Sequence, residues 1–279
     1  MKTMIKILNV IQSFLNKMKN DAVSAFAAQT AFFIVLSFIP FLMLLLTLIQ
    51  YLPISETALV HMTGELLPHT INNYVISLIN EIYSQSSATI ISVTALMALW
   101  SASKGFLSMI HGFNFIYKIP ETRNYIKLRL IASLYTLIFA VTLLVSLTIL
   151  VFGNKIFLGI MNKLPFLKDI AIMVMSIRSI VGLIVLFLIF SAMYLWIPNF
   201  KCRFVFVIPG AIVASIGWMS FSFLYSLYID NFANFNTYGS LTVLIFCMLW
   251  LYACMYILFI GCEINDLLYR YLTRKEGRN

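Results

Sequence analysis

Long apolar stretches recur along this chain of 279 residues, and six of them are long enough to cross a bilayer as helices. They run over about 22–52, 88–117, 130–152, 170–197, 204–229 and 238–262. In hydrocarbon every backbone N–H and C=O must be satisfied within the protein, and a helix does this inside one segment. A chain that is 62% hydrophobic and only 10% charged is no ordinary soluble domain. The expectation is an all-α polytopic membrane protein. Residues 21–265 form a bundle of six transmembrane helices, 1–20 an amphipathic cytoplasmic segment, and 266–279 a basic cytoplasmic tail. Little chain remains for a separate catalytic domain, and Met1–Asn20 lacks the apolar core and cleavage site of a signal peptide.

Charge sets the orientation. Four Lys precede the first span; Lys104, Lys118, Arg123, Lys127 and Arg129 follow the second. Lys201 and Arg203 follow the fourth, and Arg270, Arg274, Lys275 and Arg278 close the chain. Fifteen of the nineteen cationic side chains thus fall on one side, against Lys155, Lys163 and Lys168 on the other, with Arg178 inside a span. Basic residues stay cytoplasmic, so both termini are expected there, in a bacterial inner membrane. The net charge of +9 is then a topology signal rather than a sign of nucleic-acid binding.

Local patterns refine this plan. Met4, Ile7, Leu8, Ile11, Phe14, Leu15 and Met18 share one face of an N-terminal helix, with Lys6, Lys17 and Lys19 elsewhere, as in a helix lying on a membrane or packed as a lead-in. Pro40 should kink the first span. Between the first two spans, Ile71, Tyr74, Val75, Leu78, Ile79 and Ile82 form a stripe that predicts an interfacial helix on the outer side. Lys104 and His111 interrupt the second span, and Lys104 is read as snorkelling toward the cytoplasm. Cys202, Cys247, Cys254 and Cys262 have no C-x-x-C spacing and are read as structural.

Two C-terminal stretches carry more than hydropathy. One is Met193-Tyr194-Leu195-Trp196-Ile197-Pro198-Asn199 with Ile208-Pro209-Gly210-Ala211. The other joins Tyr238-Gly239-Ser240-Leu241, Leu249-Trp250-Leu251-Tyr252 and Gly261-Cys262-Glu263-Ile264-Asn265. Together with Leu99-Trp100-Ser101-Ala102-Ser103 and the run from Ala31 to Pro40, they resemble the YihY/virulence factor BrkB family over about 22–265. The resemblance implies a six-span bacterial inner-membrane protein. A ribonuclease BN label has been attached to relatives, while transport of lipids or other amphiphiles suits the fold better.

Four ionisable residues are candidates for a solute pathway or its gates: Arg178, Asp230, Lys104 and Glu263. Arg178 lies about two turns into the fourth span, where a charge costs on the order of 2.5–3.5 kcal/mol. It either faces a cavity or snorkels outward. Asp230 is its expected partner, and Lys104 with Glu263 is the expected pair at the opposite face. Such pairs serve as gates or as static clamps. Pro209 and Gly210 are read as opening the fifth span, with Gly210, Ala214 and Gly217 forming a smooth face for close packing. Three function classes follow: a transporter or flippase of an anionic lipid or other amphiphile, a non-transporting scaffold, and, weakest, a membrane-bound hydrolase. No H-E-x-x-H or G-x-S-x-G motif occurs, and no metal or cofactor signature is present. Membrane lipids, anionic ones included, are the expected partners, and a homo-oligomer is compatible with the sequence.

Overall fold

The computed structural model describes residues 2–49, 88–142, 178–200, 202–232 and 240–276, together with Thr57, Val60, Ile76, Ser77, Ile79, Asn80 and Leu144. Every regular element among them is α-helical. The helices are α1 (Lys2–Asn20), α2 (Val23–Leu36), α3 (Phe38–Ile49), α4 (Ala88–Ala102), α5 (Lys104–Ile116), α6 (Tyr125–Thr142), α7 (Arg178–Trp196), α8 (Phe204–Phe232) and α9 (Ser240–Glu276). The expected outer interfacial helix lies outside the described residues, apart from helical positions such as Ile76 and Ile79. So do the ends of the third and fourth spans facing each other, over 145–177.

Among the described residues, three helices are long and apolar enough to cross a membrane: Tyr125–Thr142, Phe204–Ile229 and Leu244–Thr273. A fourth is the bent pair Val23–Leu36 and Phe38–Leu45, while Gly182–Trp196 is apolar but shorter. Their outward side chains are what lipid requires: Leu96 and Met97 in α4, Leu188 in α7, and Phe223 and Leu224 in α8 all stand exposed.

The first span is broken rather than kinked at its proline. α2 stops at Leu36 and α3 starts at Phe38, with 50° between them. Pro40 has no N–H to return to the Leu36 carbonyl four residues back, and its ring crowds that carbonyl. The break therefore falls one turn before the proline, at Ser37. The second expected span is also divided, at Ser103, so Lys104 opens α5 instead of ending a span. In α8 the helix begins at Phe204, which places Pro209 inside it. This corrects the expectation that Pro209 occupies a tolerant first turn.

The chain divides into two compact units. One comprises Met1–Phe33, Leu107–Arg123 and Phe166–Asn279. Here α8 packs against both α7 and α9. Its centre is an aromatic group in which Phe113 meets Tyr194 at 5.5 Å and Phe259 at 5.4 Å between ring centroids. Gly112 lies under Phe259, where a Cβ would collide with the ring. Thr30 and Ser108 share a buried hydrogen bond of 3.0 Å. The other unit comprises Ile34–Phe106 and Asn124–Pro165. Its core is Leu44, Ala98 and Ala140, with Phe41, Leu45 and Leu99 packed around them.

Candidate functional site

Polar chemistry in the first unit gathers at one end of α9. Measured from Leu244 at 1.5 Å per residue, a hydrocarbon thickness of about 30 Å ends close to Glu263. From there Glu263, Asp266 and Arg270 follow at i, i+3 and i+7, one helical stripe. Glu263 has no exposed surface at all, and Asp266 is buried.

The counter-charge comes from α1. Its Lys17 Nζ donates to Glu263 Oε2, lies 3.0 Å from Asp266 Oδ2, and donates to Asp21 Oδ2 at 2.9 Å. Asp21 is placed by a sharp turn after α1. Its N–H returns to the Lys17 carbonyl, and Ala22 adopts a left-handed φ of 52° before α2 begins. A second left-handed residue, Lys118 with φ 58°, stands at the end of α5. There Lys118 N–H bonds the Phe115 carbonyl and Ile119 N–H the Asn114 carbonyl, the paired bonds of a Schellman stop, with Pro120 just beyond. That turn sends Lys118 Nζ to Asp21 Oδ1 and over the Phe115 ring at 4.5 Å. Arg270 completes the set with Nε 2.8 Å from both oxygens of Asp266. Three buried carboxylates thus meet three cations.

Burial alone would lower the affinity of the Lys17 ammonium for its proton, but the hydrogen bonds to Glu263, Asp21 and Asp266 outweigh it and hold its pKa above the usual lysine value. Burial likewise pushes the Asp21 carboxyl up, yet Lys118 and Lys17 prevail and keep it below the ordinary range. Lys17 and Asp21 therefore both stay charged. Satisfaction is nevertheless incomplete: Glu263 Oε1 and Asn265 Nδ2 are buried without a partner among the described residues.

One turn from the ions, α8 and α9 cross at backbone distance. A Cβ on Gly261 would strike the Tyr194 hydroxyl and the Gly210 carbonyl; one on Gly210 would strike the Gly261 carbonyl. Pro209 interrupts the α8 ladder, and the adjacent Gly210 N–H donates to Asn265 Oδ1 at 2.8 Å. Tyr194 donates to the Leu258 carbonyl at 2.7 Å, locking α7 to the same crossing. Ala214 and Gly217 continue this contact along α8, with Gly217 against Ile257. The G-x-E-x-N segment thus contains a crossing point, an ion and a backbone plug. A polar clamp sits beside it. Asn114 accepts the Asn199 N–H (2.8 Å) and donates to Glu121 (2.7 Å), which binds Arg123 through two bonds of 2.7 Å. The Arg123 guanidinium holds the Glu121 carboxyl below the usual range, against the upward push of partial burial.

The structure describes the surroundings of only some expected candidates. Glu263 takes Lys17 rather than Lys104, which is exposed at the start of α5 in the second unit. Lys17, expected on the polar face toward headgroups, points into protein because three carboxylates await it there. Arg178 and Asp230 belong to α7 and α8, but their side chains lie outside the described residues, as does that of Ser240; Tyr238 and Gly239 lie outside them altogether. Trp250 meets Trp218 edge to face at 5.8 Å, and its indole donates to Ser222 at 3.3 Å. Asp21, Asp266, Lys118 and Asn114 were missed. The i,i+4 spacing of Lys17 with Asp21 and of Asp266 with Arg270 was the available signal.

Among known proteins, the profile of a family described as Virulence factor BrkB matches residues 14–279. The chain is 35% identical over 246 residues to YfkH of Bacillus subtilis (strain 168), named as a ribonuclease-like protein; the match covers 88% of this chain and 89% of that one. It is 26% identical over 265 residues to UPF0761 membrane protein PBPRA3489 of Photobacterium profundum, covering 91% and 79% respectively. No solved structure matches.

Proposed function

The chain belongs to the Virulence factor BrkB family of membrane proteins, and from that premise we propose that it moves an amphiphilic, anionic solute across the bilayer, with the Lys17 cluster as its cytoplasmic lock. One observation carries the reading: three buried carboxylates are held by three partly exposed cations where an apolar helix reaches the end of the hydrocarbon layer. Apolar packing would join α1 to α9 at lower desolvation cost. Ions are the better choice for a contact that must open, because each partner regains its hydration when the elements part. The unpartnered Glu263 Oε1 and Asn265 Nδ2 fit a closed arrangement that is not driven to maximal stability.

The ribonuclease-like name of the Bacillus relative is a poorer guide to this chain. Hydrolysis needs carboxylates or histidines free to bind a metal or move a proton. Asp21, Glu263 and Asp266 converge, but each is buried and committed to a cation.

The test is flux in liposomes holding purified protein and a fluorescent anionic lipid analogue in one leaflet. Wild type should redistribute the probe faster than empty liposomes. The Lys17→Met/Glu263→Met pair, which removes both charges, should change that rate while insertion stays intact. A wild-type rate equal to that of empty liposomes, for lipid and soluble amphiphile alike, sinks the transport reading.

A further inference from the structure

We propose that Arg129 and the two helix breaks beside it form a binding site for an oxyanion, a phosphate or carboxylate group. Of the four charged side chains buried among the described residues, Asp21, Glu263 and Asp266 have ionic partners. Arg129 does not. It sits in the second turn of the apolar α6, is 2% exposed, and has no carboxylate partner among the described residues. A guanidinium keeps its charge in any protein environment and brings five N–H donors in a flat fork. Here Nη2 donates to the Trp100 carbonyl, the Trp100 ring lies 4.9 Å away, and Nε is buried with no acceptor. A ring face and one carbonyl offset part of the charge; they do not neutralise it.

The surroundings are rich in donors and poor in acceptors. The carbonyls of Trp100 and Ser101 lie in the last turn of α4, which ends at Ala102 before the break at Ser103. Ser103 Oγ donates to the first at 2.8 Å, where Arg129 also donates. Ser37, the residue at the break between α2 and α3, donates to the second at 3.2 Å. Both breaks therefore meet in this unit, and α5 starts at the same place with leading N–H groups that no carbonyl of its own can satisfy. The guanidinium fork and the helix start, joined by two hydroxyls once they turn from the carbonyls they now bond, match an anion with several acceptor oxygens. Discontinuous helices are also where membrane transporters bind their cargo. A static role, in which Arg129 only caps α4, predicts no response to anions.

Any link between this site and cargo rests on the transport reading above; anion binding itself does not. Thermal unfolding of the purified protein in neutral detergent decides it, with inorganic phosphate and short-chain phosphatidylglycerol as probes. At least one should raise the wild-type midpoint in a saturable way. Arg129→Gln should abolish the rise, and Arg129→Lys, which keeps charge but loses the fork, should weaken the probe about tenfold or more. A response to phosphate identifies a free oxyanion; a response to the lipid alone identifies a head group. No saturable rise in wild type, or the same rise in Arg129→Gln, overturns the site. Should Arg129→Gln not survive purification, undiminished affinity in Arg129→Lys overturns it equally. Binding with no flux would leave this site standing and remove transport, and flux with no binding would do the reverse.

Discussion

Lys17 illustrates how one side chain acquires its meaning from residues far away. Its helical position said only that it did not share the apolar stripe, and a polar face suits water, headgroups or a buried acid equally. Glu263 and Asp266 decide the matter from a sequence distance that no local pattern spans. Removing Lys17 strands Glu263, while Asp266 keeps Arg270, so Lys17→Met should cost about 3–5 kcal/mol. Adding Glu263→Met should recover part of it in a double-mutant cycle read by thermal unfolding. The depressed carboxyls of Asp21 and Glu121 set the acid response. Their stabilisation is fully present above the ordinary carboxylate values of about 3.9 and 4.3, and is lost as pH falls through their lower folded values. Stability should hold from pH 7 to about 5 and drop below about 4, with a shallower drop in Glu121→Gln. A profile that declines already at pH 6 would point to other groups. Glu263 could be picked out from sequence because a charge in an apolar run is conspicuous; Asp21 could not, since it looks like any residue before a span.

Helices are where the proline and glycine signals translate into geometry. That Pro40 would disrupt its span was legible; that the break would fall at Ser37 follows only from asking which carbonyl loses its partner. Pro209, by contrast, misled. The span was expected from 204, and Pro209 was nevertheless read as opening it, although five helical residues precede it. What rescues α8 is Asn265 from α9, a satisfaction that crosses elements. Asn265→Ala leaves the buried Gly210 N–H unpaired and should lower stability by about 1–3 kcal/mol, measured by denaturation in detergent. The strained turn after α1 predicts the opposite sign. Ala22→Gly relieves a left-handed alanine worth about 1–2 kcal/mol, less an entropic cost of about 0.5–1. It should therefore raise the unfolding midpoint slightly, whereas Ala22→Val lowers it.

Over the whole molecule, class and membrane residence were legible because composition and run length are bulk properties that no single packing choice can overturn. The division of the second expected span at Ser103 was not, since the α4 carbonyls beside it take donors from Ser37 and Arg129, far away in sequence. The charge partition predicts an orientation that labelling can test. Cysteines placed at Lys127 and Thr273 should resist a membrane-impermeant thiol reagent in intact cells and react in inverted vesicles. Reaction in intact cells would reverse the predicted orientation. The pairing of Lys17 with Glu263 also has a consequence for biogenesis. Ribosomes release α1 long before α9, so for most of synthesis Lys17 and Asp21 wait without their final partners, 246 residues ahead of the acid that completes the set. The cluster can close only on a chain whose later helices have inserted and docked. A nascent chain stalled before Glu263 carries an open, hydrated patch on α1, a visible mark of incompleteness for a membrane protease to recognise.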